Sequence, residues 1–103
     1  MALRFDLQSH STHSDGVLSA AEVVERAALA GVQLLALSDH DTVSGVSEAI
    51  AAGERYGVRV VSAVEISAVD ADSPVPRELH ILGYCIDHTG PVMTERLTAF
   101  LAD

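Results

Sequence analysis

The chain of 103 residues is 49% hydrophobic, enough for one small core and no more than one domain. A formal charge of -9 with only six Lys and Arg excludes a protein that grips duplex nucleic acid through its phosphates, although divalent ions in an acidic site can still hold a phosphorylated molecule. A lone cysteine, Cys85, rules out an internal disulfide and a cysteine-built zinc knuckle. The absence of any apolar run near the ~18 residues of a membrane span, or of signal-peptide order at the first residues, makes a soluble cytoplasmic chain the expectation.

Leu3 to Leu7 has the length and apolar content of a strand and runs into a polar segment, Gln8 to Gly16. Ser19 and Glu22 form a capping box, after which Val23, Val24, Ala27 and Ala28 recur at helical spacing until Gly31. The nearly continuous apolar run Val32 to Leu37 predicts a strand covered on both faces, ending in Ser38-Asp39-His40-Asp41. Val46, Ala49, Ile50 and Gly53 predict a second helix with Gly57 as its stop, and Val58 to Val64 a third strand ending at Glu65.

This βαβαβ order predicts an α/β fold whose parallel sheet carries its chemistry at the C-terminal strand ends. Asp70 to Arg77, with Pro74 and Pro76, reads as a loop, and Leu79 to Ile86 as a fourth strand. The gap is too short for a helical crossover, so the fourth strand is expected to return antiparallel and bring His80 beside Glu65. A last helix, Thr94 to Leu101, begins and the chain stops without a capping signal, which suggests truncation.

Separate strand ends therefore deliver His10 with Asp15, His40 between Asp39 and Asp41, and Glu65, with His80 from the return strand. Imidazoles and carboxylates suit Zn, Mn or Fe, and such a cluster acidifies water and stabilises phosphoryl charge. Other readings stand beside this one. Asp15 before Gly16 also fits a simple turn, Glu65 and His80 also fit a buried ion pair, and Asp39 reads as a helix cap or as a partner steadying the His40 ring. His13 and His88 read as exposed loop residues, and Cys85 as a small core hydrophobe. A triad of Ser38, Asp39 and His40 fails because adjacent strand residues point to opposite faces.

The ordered motifs resemble those of the PHP (polymerase and histidinol phosphatase) family. Asp6-Leu7-Gln8-Ser9-His10 with Ser14-Asp15-Gly16 is similar to its opening Asp-x-His-x-His and Ser-Asp-Gly pattern. Ser38-Asp39-His40-Asp41-Thr42, Val64-Glu65-Ile66-Ser67 and His80-Ile81-Leu82-Gly83 resemble the motifs that follow. The resemblance implies the N-terminal part of a distorted (βα)7 barrel, up to three divalent ions, and hydrolysis of phosphate esters by metal-activated water. The branch it looks most like acts on nucleotides such as 3′,5′-bisphosphonucleotides and on short 5′-phosphorylated RNA ends.

Residue by residue, the resemblance places His10, Asp15, His40, Glu65 and His80 at metal-ligand positions. Glu65 would bridge two ions, and Asp15 and His40 would help hold the one facing the phosphate; Asp15, His40 and Glu65 are the expected catalytic residues. Gln8 stands where the family has its first histidine, and an amide is a poorer ligand than imidazole. The family's later ligands lie beyond this chain. The alternative expectation is a PHP-like metal-binding module of structural or regulatory role, and a metal-barrel amide or amine hydrolase would need the same cluster. Unpaired strand edges allow a homo-oligomer.

Overall fold

In the computed structural model, which describes residues 2–72, 74, 75 and 77–102, one four-stranded sheet runs in the order β1-β2-β3-β4. The strands are β1 (Phe5–Ser9), β2 (Leu34–Leu37), β3 (Arg59–Asp70) and β4 (Arg77–Tyr84). Helices α1 (Ala20–Leu29) and α2 (Val46–Tyr56) form the crossovers between the parallel strands β1, β2 and β3, and α3 (Pro91–Ala102) follows β4. The fold is α/β, and β4 returns antiparallel along β3.

Local chemistry sets the helix limits. The Ser19 side chain accepts from the Glu22 amide while the Glu22 carboxylate accepts from the Ser19 amide, satisfying two donors that the first turn of α1 leaves free. α2 ends at Gly57, whose φ of 75° lies in the left-handed region that costs a glycine nothing. Pro91 opens α3 three residues before the expected Thr94, because proline suits the first helical position.

The core lies between the sheet and its helices. Leu35 and Leu37 of β2 pack with Val58, Ala20 and Val24, and with Ala49 and Ala52 of α2. Each such large aliphatic side chain contributes about 1.5–3 kcal/mol on burial. A second cluster joins Val43, Val46 and Val64 to Met93 and Leu97 of α3. Since Val64 faces the helices, strand alternation turns Ala63, Glu65 and Ser67 to the opposite face.

Several expectations are corrected. β1 lies two residues later than Leu3 to Leu7, and polar Gln8 and Ser9 belong to it because the Ser9 carbonyl accepts from the Ser38 amide at 2.8 Å. β3 does not end at Glu65. It continues to Asp70 because the hairpin with β4 supplies a ladder for every residue from Ala63 to Asp70. β4 accordingly starts at Arg77, opposite Asp70, and stops at Tyr84 because Cys85 adopts a φ of 57°. Cys85 is exposed rather than in the core. The expected loop from Asp70 to Arg77 falls partly outside the described residues, at positions 73 and 76. Among the described residues, no helix is long and apolar enough to cross a membrane.

Candidate metal centre

Glu65 is the hub. Its position follows from where β2 and β3 part: Leu37 pairs with Ser62, and beyond that register only an isolated bridge joins His40 to Glu65. Two main-chain bonds tighten that bridge, from the Glu65 amide to the Asp39 carbonyl at 3.0 Å and from the Asp41 amide to the Glu65 carbonyl at 2.8 Å. Asp41, held at a φ of 55°, also accepts from the Ser67 amide at 2.7 Å. His40 is thereby fixed next to Glu65 by backbone rather than by its own side chain.

The Glu65 side chain is only 5% exposed and takes contacts on both oxygens. Oε1 accepts from Gln8 Nε2 at 2.9 Å and lies 3.0 Å from His10 Nε2. Oε2 lies 2.5 Å from His80 Nδ1 and 3.4 Å from His40 Nδ1. The His80 contact follows from register: His80 pairs with Ser67, so it shares the face of Glu65 one alternate position along the ladder. The His10 and His40 rings meet edge to face at 4.4 Å between centroids, and those of His40 and His80 at 5.4 Å.

Asp15 closes the other side, its carboxylate 2.8 Å from His10 Nδ1 and 3.2 Å from His40 Nε2. The loop that carries it is anchored from below. Asp39, 2% exposed, accepts from the Ser11 amide at 2.6 Å, the Ser11 hydroxyl at 2.7 Å and the Ser14 hydroxyl at 2.7 Å. A buried carboxylate with three donors is the compensation such burial needs. Asp39 thus grips the loop between His10 and Asp15; the bonds its side chain makes are to this loop and not to the His40 ring. Gly16 is required in the same loop, because a Cβ there would stand 2.4 Å from the His10 carbonyl oxygen.

Charge follows geometry. Lost solvation pulls the Glu65 pKa upward, but the His80 hydrogen bond and the His40 and His10 contacts outweigh it, so its carboxyl sits below the ordinary value. Asp15 is likewise lowered: reduced solvation opposes, and the His10 hydrogen bond with the His40 and His10 charges prevails. His80 is raised, chiefly by its hydrogen bond to Glu65, with Glu78 adding to it from 3.3 Å.

One donor atom from each of His10, His40 and Glu65 lies within 4.8 Å of the other two. Ionised carboxylates converging with imidazoles are a donor set that fits a divalent ion. The structure brings His10, Asp15, His40, Glu65 and His80 into one cluster, with Gln8 on its rim. His13 stands apart and exposed, near Ser44 at 3.0 Å and Glu48 at 3.7 Å, and half-buried His88 lines a separate cleft beside Asp41 and α3. Ser11 and Glu78 escaped the sequence reading, and Ser14 entered it only within the Ser-Asp-Gly pattern; burial of Ser11 has no signature in a polar loop, and Glu78 reaches His80 from two residues back on the same face of β4.

Separate segments of chain that gather imidazoles and carboxylates on the face of a mostly parallel sheet opposite Val64 define an α/β protein with a metal-type donor centre. The sequence profile of the PHP domain matches residues 6–97, and the chain belongs to the PHP domain family. It is 45% identical over 97 residues to a 5′-3′ exoribonuclease of Haemophilus influenzae, covering 94% of this chain and 34% of that protein. It is 41% identical over 92 residues to a 3′,5′-nucleoside bisphosphate phosphatase of Chromobacterium violaceum, covering 89% of this chain and 31% of that protein. A solved structure from Bifidobacterium adolescentis, provisionally named a metal-dependent phosphoesterase, superposes with a TM-score of 0.85 at 30% identity over 99% of this chain and 34% of that one. The chain thus spans about a third of the length of these relatives.

Proposed function

We propose that the centre belongs to a metal-dependent phosphoesterase that hydrolyses phosphate esters of nucleotides, such as 3′,5′-bisphosphonucleotides, or of 5′-phosphorylated RNA ends. The observation that carries this reading is the buried Glu65 carboxylate with both oxygens facing imidazoles from three different segments of chain. The activities named for the two relatives support the substrate class. His10, Asp15, His40, Glu65 and His80 would hold divalent Mn, Zn or Fe, which supplies Lewis-acid stabilisation of phosphoryl charge and acidifies water. Glu65, kept ionised, would sit between metal positions. Asp15, with a side chain 63% exposed, would lie with His40 on the side from which a phosphate approaches. Asp39 holds the Asp15 loop in place.

The test pairs Mn binding with release of phosphate from a 3′,5′-bisphosphonucleotide by the purified protein. Substituting His40→Ala or Glu65→Gln should weaken Mn binding by more than the roughly 10- to 100-fold typical of losing an outer partner of a ligand, and abolish phosphate release. Release undiminished in either variant would overturn the assignment. Tight binding without release would instead favour a metal-binding module, a reading supported by the Gln8 amide that donates to Glu65.

A further inference from the structure

β1 and β4 are the two opposite edges of the sheet, with β2 and β3 between them. In a flat sheet they would lie about 14 Å apart, three strand spacings. Yet the Tyr84 hydroxyl of β4 donates to the Leu7 carbonyl of β1 at 2.7 Å. Tyr84 pairs with Ala63, so its ring stands on the face that carries Glu65. The sheet is therefore curled around that face, and one side chain ties its edges across the concave side.

The tie falls at a particular place. The pairing of β1 with β2 shifts register between Asp6 and Ser9, so the strand is irregular where it passes the site. The peptide between Leu7 and Gln8 is held instead from two sides: its carbonyl by Tyr84, and its amide by Asp6 Oδ1 at 3.0 Å. Gln8, next along β1, and His10, one residue past its end, both reach Glu65 Oε1. Four residues before Tyr84 on β4 is His80, which reaches Glu65 Oε2.

We propose that Tyr84 is a positioning residue of the metal centre: its hydroxyl clamps the irregular part of β1 against β4 and so sets the spacing between the donors of the two edges. This inference rests on the metal-centre reading and adds to it a residue that touches no donor.

Tyr84→Phe removes the hydroxyl and keeps the ring. The comparison variant is Val24→Ala, which opens the helix-side core without touching β1, β4 or the site. Mn affinity by titration calorimetry, the visible spectrum of the Co-loaded protein, and hydrogen exchange of the β1 amides are measured for both. Loss of one ordinary hydrogen bond corresponds to about a fivefold change in a binding constant. Tyr84→Phe should weaken Mn binding by about that factor, shift the Co bands and speed exchange in β1, while Val24→Ala lowers Tm with the Mn affinity and Co bands of the unaltered protein. Mn affinity and Co bands in Tyr84→Phe equal to those of the unaltered protein would overturn the inference and leave the metal-centre reading standing. No Mn or Co uptake by the unaltered protein would defeat that reading, and this role with it.

Discussion

At the scale of single residues, Gln8 and Asp39 divide the work of orienting donors that they do not replace. Gln8 presents an N–H to Glu65 Oε1, occupying one acceptor direction of an oxygen that would otherwise be free for an ion. Gln8→His should therefore raise the number of Mn ions bound per chain, counted by plasma mass spectrometry on dialysed protein; an unchanged count would mean that position 8 does not face an ion. Asp39 acts through the loop. Replacing it by Asn leaves the shape but removes the charge that three donors surround, and converts one oxygen to a donor facing other donors. Asp39→Asn should weaken Mn binding roughly 10- to 100-fold, with His40 and Glu65 still joined by their backbone bridge. Equal affinity would show that the loop holds without it. The sequence made the donor types and their order plain, because His, Asp and Glu at successive strand ends are conspicuous. It did not show the direction of Asp39, since alternation along a strand places a side chain on a face without naming the loop that folds over it.

At the scale of elements, the helices were legible and the strands less so, for a physical reason. Helix ends announce themselves through caps, and both the Ser19 and Glu22 box and the Gly57 stop stand where their residues placed them. Strand ends depend on partners. β3 extends past Glu65 only because β4 lies beside it, and neither sequence alone states that register. The box also sets a pH dependence. The Ser19 main-chain N–H, and then its side chain, favour the charged form of Glu22, lowering its pKa from 4.5. A lowered folded-state pKa means a contribution present above pH 4.5 and lost as pH falls through the lower folded value. Glu22→Gln should destabilise the protein above pH 4.5 and cost progressively less below it, read from urea midpoints across that range. A difference independent of pH would mean the charge takes no part in the cap.

At the scale of the whole molecule, the proposed donors lie far apart in sequence, from His10 to His80, so an ion held by all of them would join the segment after β1, the segment after β2, β3 and β4 at once. Local packing does less of this work on the concave side than on the helix side. Phe5 is 59% exposed and Val69 65%, whereas Leu35 and Leu37 are 1% exposed. A metal-loaded cluster would thus act as a cross-link where apolar burial is thin, and its occupancy should govern stability out of proportion to its size. Binding to the folded chain alone stabilises it by about 2.7 kcal/mol at a hundredfold excess over the dissociation constant. For a chain of this length each kcal/mol moves Tm by about 4–8 °C, so saturating Mn should raise Tm by at least about 10 °C, and a chelator should reverse the rise. The rise should vanish in Glu65→Gln, which removes the donor that every segment shares, and persist in Val24→Ala, whose loss is confined to the helix-side core. Equal rises in both variants would place the ion outside this cluster. A rise that disappears only in Glu65→Gln would mean that the same carboxylate organises both the chemistry and the closure of the sheet around it.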